Sequence, residues 1–250
     1  TDNDVVYVKA WKNARLHELQ HRVDEVVVDA ARKNVKLKVR TRIAPPVFDH
    51  GFDCTYVYTI YGDGSLVLEA QGTPQGQLPL LPRIGLQMIL PIDFNQVSWY
   101  GRGPGESYVD SKLANRFGVY ACSVDELYVP YVYPQEHGNR TDVFWVALTD
   151  LRGMGLFAAG DKPLNFSAHR FSPEDLEKAR HTDELIWRDE IYLNLDYRHH
   201  GLGSGSCGPP TLPQYELQPH VFTFTVRLKP FSADSITPIQ LAKQSLEPVK

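Results

Sequence analysis

Apolar and polar residues alternate with period two in several stretches of the chain, the signature of half-buried antiparallel strands. In "NVKLKVR", Val35, Leu37 and Val39 alternate with Lys36, Lys38 and Arg40. The β-forming run "TYVYTIY" (55–61) leads through Gly62-Asp63-Gly64-Ser65 into the apolar "LVLEA" of 66–70, which predicts a hairpin. Near the end, "HVFTFTVRLK" puts Phe222, Phe224, Val226 and Leu228 on one face and Thr223, Thr225 and Arg227 on the other. Further strands are predicted over 23–29, 84–90, 95–100, 143–149, 154–159 and 190–195.

One helix is signalled by Ser172 as cap, Pro173 at its first position, and Glu174 and Asp175 in its first turn. Lys178, Arg180 and His181 then lie towards its end, where the helix dipole favours them. A weaker helical pattern covers 11–22. Eighteen prolines and eighteen glycines punctuate the rest at short intervals. With no internal repeat and no linker to divide the chain, many short strands predict one large all-β antiparallel sandwich over residues 1–250. The longest irregular stretch, "HHGLGSGSCGPPTLP" (199–213), should be a surface loop, and loops of this length inside compact domains are often functional.

Composition narrows the function classes. The formal net charge of −4 and the absence of a basic run argue against nucleic acid as a partner, and no apolar stretch is long enough to span a membrane. Cys54, Cys122 and Cys207 are odd in number and lack C-x-x-C spacing. They read as free thiols suited to a reducing compartment, not as a zinc site or disulfide framework.

The densest chemistry lies in "PQEHGNRTD" (134–142). Glycoside hydrolysis needs two facing carboxylates, and Glu136 and Asp142 are candidates if the Gly-Asn break folds one back towards the other. If a strand begins near Arg140, then Arg140 and Asp142 share a face. Such a pair serves as a structural ion pair, a ligand contact or, least directly, catalysis. In "WYGRGPGESYVDSK" (99–112), the glycine run lacks the phosphate-loop pattern and reads as a tight basic turn. Trp99, Tyr100 and Tyr108 offer faces for sugar stacking, although Trp99 also suits a sandwich core. His199 and His200 are adjacent and would point to opposite faces of a strand. Neither an H-E-x-x-H metal motif nor a G-x-S-x-G nucleophile elbow occurs.

The stretches "LPRIGLQMILP", "WYGRGPGESYVDSK", "VDELYVPYVYPQEHGNRTDV", "DEIYLNLDYRHHGLGSGSCGP" and "TLPQY" resemble, in order, the C-terminal small-chain domain of family-2 β-galactosidases. The opening "TDND" is similar to the end of the segment that introduces that domain, and the resemblance runs from Thr1 to about Pro230. It implies a large antiparallel supersandwich of the galactose mutarotase type. It also implies an accessory role in hydrolysing terminal β-D-galactosides such as lactose, beside a (β/α)8 barrel that carries both catalytic glutamates. No stretch here is similar to that barrel, so the resemblance places no catalytic residue in this chain. The expected partners are a β-galactoside substrate and the barrel, in the same polypeptide or a large subunit, within an oligomeric enzyme. No cofactor is expected in this domain; magnesium (Mg) and sodium (Na) ions would belong to other domains. The opening at "TDND" suggests a fragment cut at a domain boundary, or the small subunit of a split enzyme. The location implied is the bacterial cytoplasm, with periplasmic or secreted forms open.

In this family a loop tryptophan followed by Ser-Pro forms a platform for the aglycone. The matching stretch here is Ser206-Cys207-Gly208-Pro209, with Cys207 in the tryptophan's place, and a thiol offers no indole face. Glu136, His137, Asn139, Arg140, Ser206 and Cys207 are the expected substrate-binding residues. Two other readings stay open: an aldose 1-epimerase using His137 with Glu136 or Asp142, and a free-standing carbohydrate-binding or assembly module.

Overall fold

The protein, a computed structural model in which residues 2–245 are described, is built almost entirely from antiparallel strands. Strands β1 (Gln20–Ala30), β2 (Asn34–Ala44), β3 (Gly51–Tyr61) and β4 (Leu66–Gln75) form a meander. The β3–β4 hairpin closes through Gly62-Asp63-Gly64-Ser65, where the Tyr61 amide donates to the Ser65 carbonyl at 2.9 Å. β11 (Phe222–Ser232) joins β4 to β9 (Met154–His169), and β8 (Arg140–Thr149), β6 (Gln96–Gly103) and β7 (Arg116–Ser123) complete the path. β10 (Glu190–His199) branches from β9 and pairs with β5 (Arg83–Pro91).

The long β9 makes the branch possible. Its first half pairs with β11 and the end of β8, and its second half, Asn165 to His169, pairs with β10. The β5–β10 ladder thereby lies over the β3–β4–β11 face. Phe224, Val226, Ala70 and Tyr56 from one side meet Leu193, Leu195, Leu86 and Met88 from the other. Trp99, Phe157 and Phe166 are fully buried, and each such side chain contributes about 2–3 kcal/mol by leaving water. The all-β antiparallel expectation holds, and Trp99 belongs to the core.

Several local expectations are corrected. The helix predicted over 11–22 lies upstream as α1 (Val5–Asn13), where Tyr7 and Trp11 stack at 5.9 Å and the Trp11 indole donates to the Leu80 carbonyl at 2.7 Å. Gln20 already starts β1, an edge strand exposed along its whole length. α2 (Pro173–Lys178) has the expected Ser172 cap, completed by Asp175 into a reciprocal capping box, but ends before Arg180 and His181. β7 and the second half of β9 were not anticipated. Arg227 does not face water: α3 (Pro238–Ala242) covers it, and its guanidinium donates to the Leu241 and Ser245 carbonyls. Among the described residues no helix is long and apolar enough to cross a membrane.

Candidate functional site

The segment 134–142 enters β8 along a clamp made with residues 104–108. The Asn139 amide donates to the Ser107 carbonyl at 2.8 Å, and the Ser107 backbone amide donates to the Asn139 carbonyl at 2.7 Å. The Glu106 carboxylate accepts from the Gly138 amide at 2.8 Å and from the Tyr131 hydroxyl. Gly138 adopts φ 75°, and a Cβ there would sit 2.7 Å from His169 Cε1, so close approach and left-handed backbone both require glycine.

Arg140 is buried and has no carboxylate partner among the described residues. It donates to the Gly138 and Pro104 carbonyls, at 2.6 and 3.0 Å, and its guanidinium lies 5.5 Å from the Trp99 ring centroid. Burial lowers its pKa. The expected Arg140–Asp142 pairing does not form. Arg140 pairs with Phe166 and Val143 with Leu164, so Thr141 and Asp142 oppose the single residue Asn165 in a β-bulge. Asp142 turns left-handed, φ 56°, and accepts from Arg102 Nε at 2.7 Å and Lys112 Nζ at 2.9 Å. Arg102, from the predicted basic turn, thus serves as the partner that Arg140 was expected to be. Burial alone would raise the Asp142 pKa, but these two cations hold it below the usual carboxylate range.

His137 is also buried. Its Nδ1 meets the Gln135 carbonyl at 2.7 Å, and its ring packs 4.6 Å from that of His169, whose Nε2 meets the His137 carbonyl at 2.9 Å. Desolvation keeps both imidazoles neutral, lowering His137 and pushing His169 down to about 3. Tyr108 is likewise buried and has no free face for stacking, whereas Tyr100 is partly exposed against Phe144.

Glu136 points the other way, into a groove of about 680 Å³. Its walls are Asp2, Val5 and Val8, the strip Tyr133 to Glu136, residues Pro173, Leu176 and Glu177 of α2, and Ser206. The opening segment ties these walls together: Ser206 donates to Asn3 Oδ1 at 2.8 Å, and the Asp2 amide donates to Gln135 Oε1 at 3.3 Å. The 199–213 loop is anchored by the Gly203 amide on Asp110 and by Thr211 on the Gly201 carbonyl. Cys207 is exposed on this loop beside Ser206.

Behind Glu136 runs an ion chain that sequence reasoning missed. Arg83 Nη1 donates to Glu136 at 2.6 Å, while its Nη2 and Nε grip Asp196 at 2.5 and 3.2 Å, and His199 Nε2 meets Asp196 at 2.7 Å. Burial opposes charge on Arg83 and Asp196, but mutual attraction wins, raising the Arg83 pKa and lowering that of Asp196. The pairing of Arg83 with His199 across β5 and β10 was hidden because β10 bulges between Asp196 and Arg198.

Of the six expected binding residues, Glu136 and Ser206 line one groove and Cys207 lies beside it, while His137, Asn139 and Arg140 are buried beneath. The epimerase reading required His137 and one carboxylate, Glu136 or Asp142, to face one groove; Glu136 lines the groove and Asp142 another cavity, but His137 is buried and lines neither.

Comparison with known proteins adds the lineage. The family model described as "Beta galactosidase small chain" matches residues 1–228. The chain is 34% identical over 238 residues to a β-galactosidase of Vibrio cholerae, covering 89% of this chain and 21% of that protein. It is 35% identical over 222 residues to that of Kluyveromyces lactis, covering 86% and 21%. The chain therefore spans about a fifth of the length of these curated relatives. Among solved structures, a galactose 1-epimerase from Lactobacillus acidophilus aligns at TM-score 0.47 with 10% identity, covering 86% of this chain and 66% of that one. On the strength of the family match and these relatives, the chain belongs to the β-galactosidase small-chain family.

Proposed function

We propose that this chain is the C-terminal accessory domain of a β-galactosidase, a single unit over residues 1–250 that carries no catalytic glutamate. In this reading the groove beside Glu136 and Ser206 faces the catalytic barrel, and the loop through Cys207 forms part of the wall around a terminal β-D-galactoside such as lactose. The barrel belongs to the same polypeptide or to a large subunit, and Mg or Na ions, where present, bind in other domains. His137, Asn139 and Arg140 act from beneath by fixing the strip that presents Glu136.

The observation that carries this reading is the apolar rim of the groove. Val5, Val8 and Tyr133 are 60%, 40% and 49% exposed, and Val132, next to Tyr133 in the chain, is also exposed. Val5, Val8, Tyr133 and Leu176 line one groove, an apolar surface that suits burial against a larger partner. Because Cys207 supplies no indole face, aglycone stacking falls to another residue, and the partly exposed Tyr133 on the groove wall is the candidate.

The test is assembly. The chain is mixed with the polypeptide that supplies the rest of the enzyme, and complex formation is followed by sedimentation. Val8→Arg should weaken the complex while leaving the circular dichroism of the isolated chain unchanged. Full assembly with Val8→Arg would refute the role of this face.

A further inference from the structure

The ion chain that starts at the groove ends at a second cavity. His199, held by Asp196, lines a polar pocket of about 360 Å³ that shares no lining residue with the groove. We propose that this cavity is a separate binding site for one neutral sugar ring.

The lining chemistry selects the ligand. Lys112 and Arg198 are balanced by Asp142 and Glu216, with the neutral amides of Asn165 and Gln214 among them. An anion would face the two carboxylates, and a metal cation the two bases. A polyol, whose hydroxyls both donate and accept, suits such a mixture. Tyr215 adds aromatic wall for the C–H groups of a pyranose, beside Tyr197, whose own ring packs on Phe222 and Phe224. The volume lies at the small end of ligand pockets, roughly 300–1,000 Å³, and matches one ring better than an extended oligosaccharide.

The pocket is built by irregular backbone held in place. The β8 bulge and the left-handed Asp142 bring Thr141 and Asp142 to its wall. Thr141 Oγ1 donates to Asn165 Oδ1, and Lys112 and Arg102 clamp the Asp142 carboxylate. Strained non-glycine residues and bulges concentrate at functional sites. The His199 ring has one nitrogen fixed on Asp196, which sets the ring's direction at the wall. This assignment does not rest on the proposed role of the groove, since the two cavities are lined by different residues.

Titration calorimetry with methyl β-D-galactopyranoside tests the proposal on the chain as it stands. Saturable millimolar binding is expected, reduced roughly tenfold by Asn165→Leu. Glu216→Ala, at a half-buried position that among the described residues makes no ion pair and accepts from Gln218 alone, should also weaken binding, which guards against misfolding of the first variant. Val8→Arg in the groove should leave the affinity unchanged, and inorganic phosphate and magnesium chloride should not compete. Absence of saturable binding, displacement of the sugar by phosphate, or loss of binding in Val8→Arg would each overturn it.

Discussion

Replacing Arg83 with methionine should be among the most damaging single changes in this chain. The Asp196 side chain is only 2% exposed and receives two hydrogen bonds from Arg83. Removing the guanidinium leaves a buried carboxylate with His199 as its remaining side-chain partner. Breaking one side of a buried pair costs about 3–5 kcal/mol, because the surviving charge stays desolvated. The Glu136 end contributes much less. That side chain is 32% exposed, so water can replace the lost partner, and Glu136→Gln should cost only about 1 kcal/mol. Replacing both buried members, as in Arg83→Met with Asp196→Leu, should recover much of the loss because no orphaned charge remains. Urea unfolding of the four proteins at neutral pH measures these differences directly. If Arg83→Met cost no more than Glu136→Gln, or the double variant were worse than the single, the ion chain would not be the structural tie described.

Two further changes probe the strip that presents Glu136. Gly138→Ala must adopt φ 75° and place a methyl 2.7 Å from the His169 ring, so it should lose about 1–3 kcal/mol by the same unfolding measurement; a neutral result would contradict the close packing. His137 and His169 both titrate below the usual histidine value in the folded state, His169 at about 3, while the unfolded chain takes up protons near pH 6.5. Their stabilisation is therefore complete above about pH 6.5 and is lost progressively as the pH falls, with a combined slope of up to ~2.7 kcal/mol per pH unit. His169→Gln keeps an N–H donor for the His137 carbonyl but does not titrate. It should remove about half of the slope between pH 6.5 and 5, and an unchanged slope would refute the assignment.

The meander and β11 were legible because their strands announce themselves locally. The alternation in 35–40 and in 222–228 depends only on one buried and one exposed face. Where a second layer covers the other face, the reading broke: Arg227 looked solvent-facing until α3 closed over it. The Arg140–Asp142 pairing failed for a related reason. Period two holds only in regular strand, and the bulge at Thr141–Asp142 is set by the partner strand β9, far away in sequence. His137 with His169, and Arg83 with Asp196, meet across 32 and 113 positions, and no spacing rule links them. α1 did leave a signal, the Tyr7–Trp11 pair at i and i+4, but Val5, Val6 and Val8 masked it with β-branched residues. Glu136, singled out by the polar density of 134–142, and Ser206, singled out by family resemblance, lie 70 positions apart and line one groove, which neither signal alone reveals. Their buried neighbours His137, Asn139 and Arg140 look the same in sequence, because polarity does not reveal which way a side chain turns.

The proposal that this chain completes a galactosidase without performing the chemistry is tested most directly by hydrolysis of a nitrophenyl β-D-galactoside. The chain alone should give no turnover, and adding the barrel-bearing polypeptide should restore activity that Val8→Arg diminishes. Turnover by the isolated chain, abolished by Glu136→Gln, would contradict the account.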